Sequence, residues 1–216
     1  MRILKTLQEK CDIALACLIV VDVQNDFCSP EGAAAKGGNN VTAAKEMVPR
    51  LLHLIEEARK VDFPIVYIQT THSDWTDSPS WLYRRPDGRK PETCRQDSWG
   101  AEFYEGISPL PHERIVIKHR YSAFINTDLN TVLKARGVES VLVTGVATNV
   151  CVETTARDAF MYDYYVTMVE DCAAAYDPQM HEATLQNIRK HFGTVASSQE
   201  IISTWQRLQR KKVAAL

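Results

Sequence analysis

Three residues of different chemistry stand out by their settings: Asp22 in V-V-D-V-Q-N-D-F, Lys118 in I-V-I-K, and Cys151 in V-T-G-V-A-T-N-V-C-V-E-T-T. The residues before Cys151 read as a short buried strand at 141–143, and Thr144 to Asn149 as a tight turn. From Val150 onward the pattern is helical, which puts Cys151 near a helix N-terminus just beyond a strand end. A thiol there feels the positive end of the helix dipole, and the expectation is a stabilised thiolate. A thiolate is a nucleophile able to form a covalent intermediate. The competing reading is an inert cysteine packed under a helix, since free cysteine is among the most buried residue types. A carboxylate and an ammonium at two other strand ends would supply a base and a charge partner.

Such groups converge only if parallel strands carry them to one edge. Apolar runs of strand length are expected at 15–23, 64–69, 114–118, 141–143, 165–169 and 193–196. Helical spacing falls at 42–61, 127–136, 150–162, 179–192 and 198–210. Alternation of this kind predicts an α/β fold: a three-layer αβα arrangement with a doubly wound, mostly parallel sheet of about six strands, Rossmann-like. Residues 73–107, rich in Trp, Pro, Gly, Asp and Arg, show little periodicity and read as a long loop excursion from a single domain spanning 1–216. In open α/β sheets ligands bind beyond the carboxyl ends of the strands. Asp22, Lys118 and Cys151 all map to such ends.

Composition narrows the field. The chain has 216 residues, 45% hydrophobic and 24% charged, with a net charge of −2, so no overall field draws it to nucleic acid or anionic membrane. The basic cluster at Arg207, Arg210, Lys211 and Lys212 suits the solvated end of a last helix. The six cysteines are scattered with no C-x-x-C pair, which fits a reducing, cytoplasmic setting rather than a disulfide or zinc scaffold. Met1 to Lys10 lacks the apolar core of a signal peptide, and the apolar run 13–21 is too short to span a bilayer. No nucleic-acid or membrane partner is expected.

The motifs L-I-V-V-D-V-Q-N-D-F, I-V-I-K-H-R-Y-S-A-F and V-T-G-V-A-T-N-V-C-V-E-T-T-A-R-D-A together resemble the isochorismatase-like cysteine hydrolases. The resemblance runs from about Ala14 to Ile202. Within that family K-x-R-Y-S-A-F and G-V-A-T-N-V-C-V-E-T-T look most like the branch of ureidoacrylate amidohydrolases and the related biuret and triuret hydrolases. The resemblance implies an Asp22, Lys118, Cys151 triad. It also implies a cis peptide between Val146 and Ala147, which would aim the N–H groups of Ala147 and Cys151 at one point as an oxyanion hole. The implied activity is metal-independent hydrolysis of a C–N bond in a small ureido or carbamoyl compound, through a thioester-type intermediate and without a cofactor. A homodimer or homotetramer is the family's common assembly.

Candidate substrate-contacting residues are Gln24, Asn25, Phe27, Trp99, Glu102, Tyr121, Phe124, Val146 and Asn149. Asn149 could equally bond its own turn, and Phe124 could equally be core. For Trp75 and Trp81 a lid, a subunit contact and a substrate contact are open alternatives, and Arg157 reads as a structural ion pair. Nicotinamidases of the same superfamily carry a metal site in a D-x-H-x-x-x-H-like arrangement after the second strand. Here Thr70 stands at the leading position, His72 and Asp74 follow, and the second His is missing, so no metal is expected. True isochorismatases act on a vinyl ether without a cysteine nucleophile. Vinyl-ether or ester hydrolysis on the same fold, and a catalytically idle binding protein, are the competing functions.

Overall fold

The computed structural model describes residues 3–84 and 92–214. Residues 85–91 of the sequence-defined excursion lie outside the described residues, as do the side chains of Lys211 and Lys212. Six strands form one sheet: β1 (Ala16–Val21), β2 (Ile65–Thr70), β3 (Arg114–Lys118), β4 (Ser140–Val146), β5 (Tyr165–Ala174) and β6 (Gly193–Ala196). Every pairing is parallel, in the order β3-β2-β1-β4-β5-β6. The helices are α1 (Leu7–Lys10), α2 (Asn25–Cys28), α3 (Ala33–Lys36), α4 (Thr42–Lys60), α5 (Pro79–Leu82), α6 (Leu129–Ala135), α7 (Glu153–Met161), α8 (Pro178–Asn187) and α9 (Ser198–Ala214). Among the described residues no helix is long and apolar enough to cross a membrane.

The layers follow from strand alternation. On one face Leu18, Val20, Ile65, Tyr67 and Leu142 pack with Leu51, Leu54 and Ile55 of α4 and with Ile201 and Trp205 of α9. On the other, Cys17, Ile19, Val21, Val141 and Val143 pack with Leu129 and Leu133 of α6, Ala156 and Ala159 of α7, and Leu185 of α8. All six residues of β1 are buried, as a strand covered on both faces requires. The αβα architecture is therefore the one the alternation predicts.

Local departures have local causes. The turn expected from Thr144 is instead strand: β4 runs on to Val146, with the Thr144 hydroxyl donating to the Ile19 carbonyl at 3.0 Å. Gly145 allows this close approach, because a Cβ there would lie 1.9 Å from the Val21 carbonyl oxygen and φ is +106°. The helix expected over 150–162 begins as a π-type turn at Thr148–Val152 before α7 starts at Glu153. The excursion carries structure of its own, namely α5 and a 3₁₀ turn at Trp99–Ala101.

β1 has β2 on one side and β4 on the other, and the connections leave the two sides in opposite directions. A crevice opens at that switch point, at the carboxyl ends of the strands.

Candidate active site

Asp22 is the first residue past β1 and has φ +53°, a left-handed conformation that aspartate tolerates better than most residues. Its N–H donates to the Ile68 carbonyl at 3.0 Å while its own carbonyl already accepts from Gln24, so the chain turns sharply at the strand end. Lys118 closes β3. Cys151 sits inside the π-type turn that follows β4. Asp22 is 0%, Lys118 1% and Cys151 8% exposed. The structure brings the three together: Lys118 Nζ lies 2.7 Å from Asp22 Oδ2 and 3.6 Å from Cys151 Sγ. The ammonium also donates to the Thr70 hydroxyl at 2.6 Å and to the Arg120 carbonyl at 2.9 Å.

Burial alone would push the Lys118 ammonium down, but Asp22 and Cys151 outweigh it and hold the group above the ordinary lysine value. Burial pushes the Cys151 thiol up to about 12, with Lys118 opposing the rise and Asp22 adding to it. This corrects the thiolate expected from the helix dipole: desolvation wins, and the resting group is a thiol. For such a thiol to act as a nucleophile, a base in contact would be needed.

The Val146–Ala147 peptide is cis. The Ala147 carbonyl beyond it accepts from the N–H groups of Val150 and Val152, at 3.0 and 3.2 Å. The turn is braced from α8, where His181 Nδ1 lies 2.9 Å from the Thr148 hydroxyl. Glu153, which opens α7, accepts from Thr184 and Asn187 of α8.

Above the triad is a cavity of about 360 Å³, bordered by Phe27, Thr70, Trp81, Arg84, Tyr121 and Tyr176 as well as by Lys118, Ala147, Asn149 and Cys151. Its mouth is cationic and aromatic. The Arg84 guanidinium lies 3.9 Å over the Trp81 ring, and its Nε donates to the Tyr121 hydroxyl at 2.8 Å. Arg120 approaches the same Trp81 ring at 5.1 Å while its guanidinium donates to the Thr76 carbonyl. Among the described residues neither arginine is paired with a carboxylate. Among the described residues the one aspartate on the wall, Asp177, accepts from Gln179 N–H as the cap of α8.

The other sequence candidates divide. Phe27, Tyr121 and Asn149 border the cavity. Gln24 does not: it is fully buried, donating to the Thr70 and Ala101 carbonyls and accepting from Thr70 N–H. Asn25 donates to the Trp99 carbonyl. Trp99 is 47% exposed away from the cavity, and Glu102 borders a different surface hollow beside Gln69 and Ile117. Phe124 is core, its ring tilted against those of Tyr162 and Tyr164. Val146 is buried beneath the turn. Trp81 is a wall residue, whereas Trp75 is 98% exposed. Arg157 pairs with Glu153.

Residues missed from sequence are Thr70, Arg84, Arg120 and Tyr176. Thr70 was detectable, since it closes β2 as Lys118 closes β3. His72 stacks on Trp81 and bonds Asp77 at 2.8 Å, and Arg95 takes up both Asp74 and Asp77. Among the described residues no cluster of three or more His, Cys, Asp or Glu is placed to hold a metal.

The isochorismatase domain family matches residues 16–200. "Ureidoacrylate amidohydrolase RutB" of Methylobacterium radiotolerans is 33% identical over 200 residues, covering 86% of this chain and 77% of its own. A cysteine hydrolase from Pseudomonas syringae pv. phaseolicola superposes with a TM-score of 0.79 at 29% identity, over 91% of this chain and 94% of that one. N-carbamoylsarcosine amidase from Thermoplasma acidophilum superposes with a TM-score of 0.69 at 29% identity, over 85% and 96% of the two chains. The chain belongs to the isochorismatase family, and with amidohydrolases among its relatives it is a hydrolase acting on carbon–nitrogen bonds.

Proposed function

We propose that this protein cleaves a C–N bond of a small ureido or carbamoyl compound, with Cys151 as nucleophile. The observation that carries the reading is a thiol held in one buried contact set with an ammonium and a carboxylate. Asp22 takes the thiol proton as general base. The sulfur attacks the carbonyl carbon, and the Ala147 and Cys151 N–H groups receive the developing oxyanion, each such donor contributing about 3 kcal/mol in comparable sites. Asp22 returns the proton to the leaving nitrogen, releasing ammonia and leaving an S-acyl intermediate on Cys151. Water, deprotonated by the same carboxylate, adds to that carbonyl and restores the thiol. Lys118 stabilises the negative charge as it passes between Asp22 and sulfur. These steps call on no metal or cofactor.

Arg84 and Arg120 at the mouth suit a substrate that ends in a carboxylate, which favours ureido acids of the ureidoacrylate type over neutral biuret or triuret. The relatives named for ureidoacrylate and N-carbamoylsarcosine support the same choice. An ammonia-release assay over ureidoacrylate, biuret, triuret and N-carbamoyl amino acids tests the reading, with Cys151→Ala as control. Mass spectrometry of quenched turnover is expected to show an acyl adduct on the Cys151 peptide. Undiminished ammonia release by Cys151→Ala would overturn it.

A further inference from the structure

One side chain touches both partners of the candidate nucleophile. Thr70 closes β2 directly opposite Lys118 in the β2–β3 register and is 4% exposed. Its Oγ1 lies 2.6 Å from Lys118 Nζ and 2.8 Å from Asp22 Oδ1. The direction of both bonds is fixed by chemistry. An ammonium only donates, so the hydroxyl accepts from Lys118 and spends its single proton on Asp22 Oδ1. That engages Oδ1. Oδ2 is buried with no hydrogen-bond partner, keeping only the ion-pair contact to Lys118 at 2.7 Å.

Thr70 is itself immobilised. Gln24 Nε2 donates to its carbonyl and its N–H donates to Gln24 Oε1, each at 2.8 Å. The second Gln24 amide proton goes to the Ala101 carbonyl at 2.7 Å. Gln24 therefore holds the residue that holds the carboxylate, across 46 positions of chain.

We propose that Thr70 is a positioning residue of the hydrolytic site: its hydroxyl occupies Asp22 Oδ1, leaving Oδ2 as the oxygen that receives the Cys151 proton, and Gln24 locks Thr70 in that pose. This rests on Cys151 being the nucleophile, as proposed above. Valine keeps the shape of threonine without the hydroxyl, and serine keeps the hydroxyl.

The test measures kcat and KM for Thr70→Val and Thr70→Ser, and in parallel the rate at which iodoacetamide alkylates the Cys151 peptide. Loss of a hydrogen bond to a charged group is expected to lower kcat about 10- to 100-fold in Thr70→Val, with KM within about twofold. The alkylation rate is expected to fall with it, and Thr70→Ser to stay within about threefold of the parent in both readouts. If Thr70→Val does not fold, Thr70→Ala carries the same expectation. Alkylation of the hydroxyl-free variant at the parent rate, or a serine variant no better than valine, overturns the proposal. The alkylation arm needs no substrate. Failure of every ureido compound in the assay would therefore strike the functional reading while still deciding the role of Thr70.

Discussion

Two cavities of similar size lie at opposite ends of one sheet, about 360 Å³ at the carboxyl ends of the strands and about 330 Å³ at the amino ends, and each has a buried cysteine on its wall. Burial pushes Cys151 in the first and Cys17 in the second up to about 12 alike. Their company differs. Cys17 points at the Leu18 carbonyl at 3.6 Å, with the Val66 backbone and the Arg136 charge nearby and, among the described residues, no carboxylate acting on it. Cys151 has Lys118 at 3.6 Å and shares that ammonium with Asp22. In the amino-end cavity Arg59 binds Glu113 at 2.8 Å and reaches the Tyr67 hydroxyl and Ser108 carbonyl, and Arg114 pairs with Asp128. At the carboxyl end Arg84 and Arg120 donate to neutral acceptors, the Tyr121 hydroxyl and the Thr76 carbonyl, and among the described residues neither meets a carboxylate. Cavity volume and thiol burial thus do not separate the proposed reactive end from the other. An ion pair in contact with the thiol does.

The contrast breaks most readily at the proposed nucleophile. Cys151→Ala is expected to lower ammonia release by more than about 1,000-fold with the melting temperature nearly unchanged, whereas Cys17→Ala leaves turnover intact. Lys118→Met would leave Asp22 as an uncompensated buried carboxylate, and urea unfolding at neutral pH is expected to show a loss of about 3–5 kcal/mol.

Alkaline pH acts on both ends together. Cys11, Cys17, Cys28 and Cys151 hold their protons to about 12 in the folded chain, against 9.0 when free. Between those values the folded state binds more protons than the unfolded, so stability is intact below pH 9 and falls as pH rises. Each thiol contributes up to about 1.4 kcal/mol per pH unit, and thermal melts across pH 8–11 measure the slope. Arg84→Ala is expected to raise KM for a ureido acid about tenfold with kcat within twofold, and to leave KM for a neutral ureido compound unchanged. The smallest effect belongs to the amino-end cavity. Arg59→Met is expected to cost about 1 kcal/mol in urea unfolding and nothing in turnover.

How much of this was legible in sequence depended on how far apart the partners lie. β3 and β6 match their expected bounds residue for residue, because their alternation is local. The helix expected over 127–136 starts late, at Leu129, because the Thr127 hydroxyl instead donates to the Ala123 carbonyl and accepts from Leu129 N–H. The positions of Asp22, Lys118 and Cys151 followed from one rule about strand ends. The role of Gln24 did not, since its partners Thr70 and Ala101 are 46 and 77 residues away and nothing in V-D-V-Q-N-D-F distinguishes a clamp from a substrate ligand. Phe124 misled for a similar reason: its neighbours Tyr162 and Tyr164 arrive from beyond α7. The low thiolate content of the resting site was also out of reach, because burial is a property of the assembled crevice.

The protonated state of Cys151 carries a consequence for the lifetime of the molecule. Thiolates attack hydrogen peroxide and disulfides far faster than thiols do, and the climb from sulfenic to sulfonic acid begins with that first step. If Cys151 gives up its proton only to Asp22, as proposed, it spends the interval between substrates in its least oxidisable form. The burial that pushes the Cys151 thiol up would also shelter the proposed nucleophile from irreversible damage between turnovers.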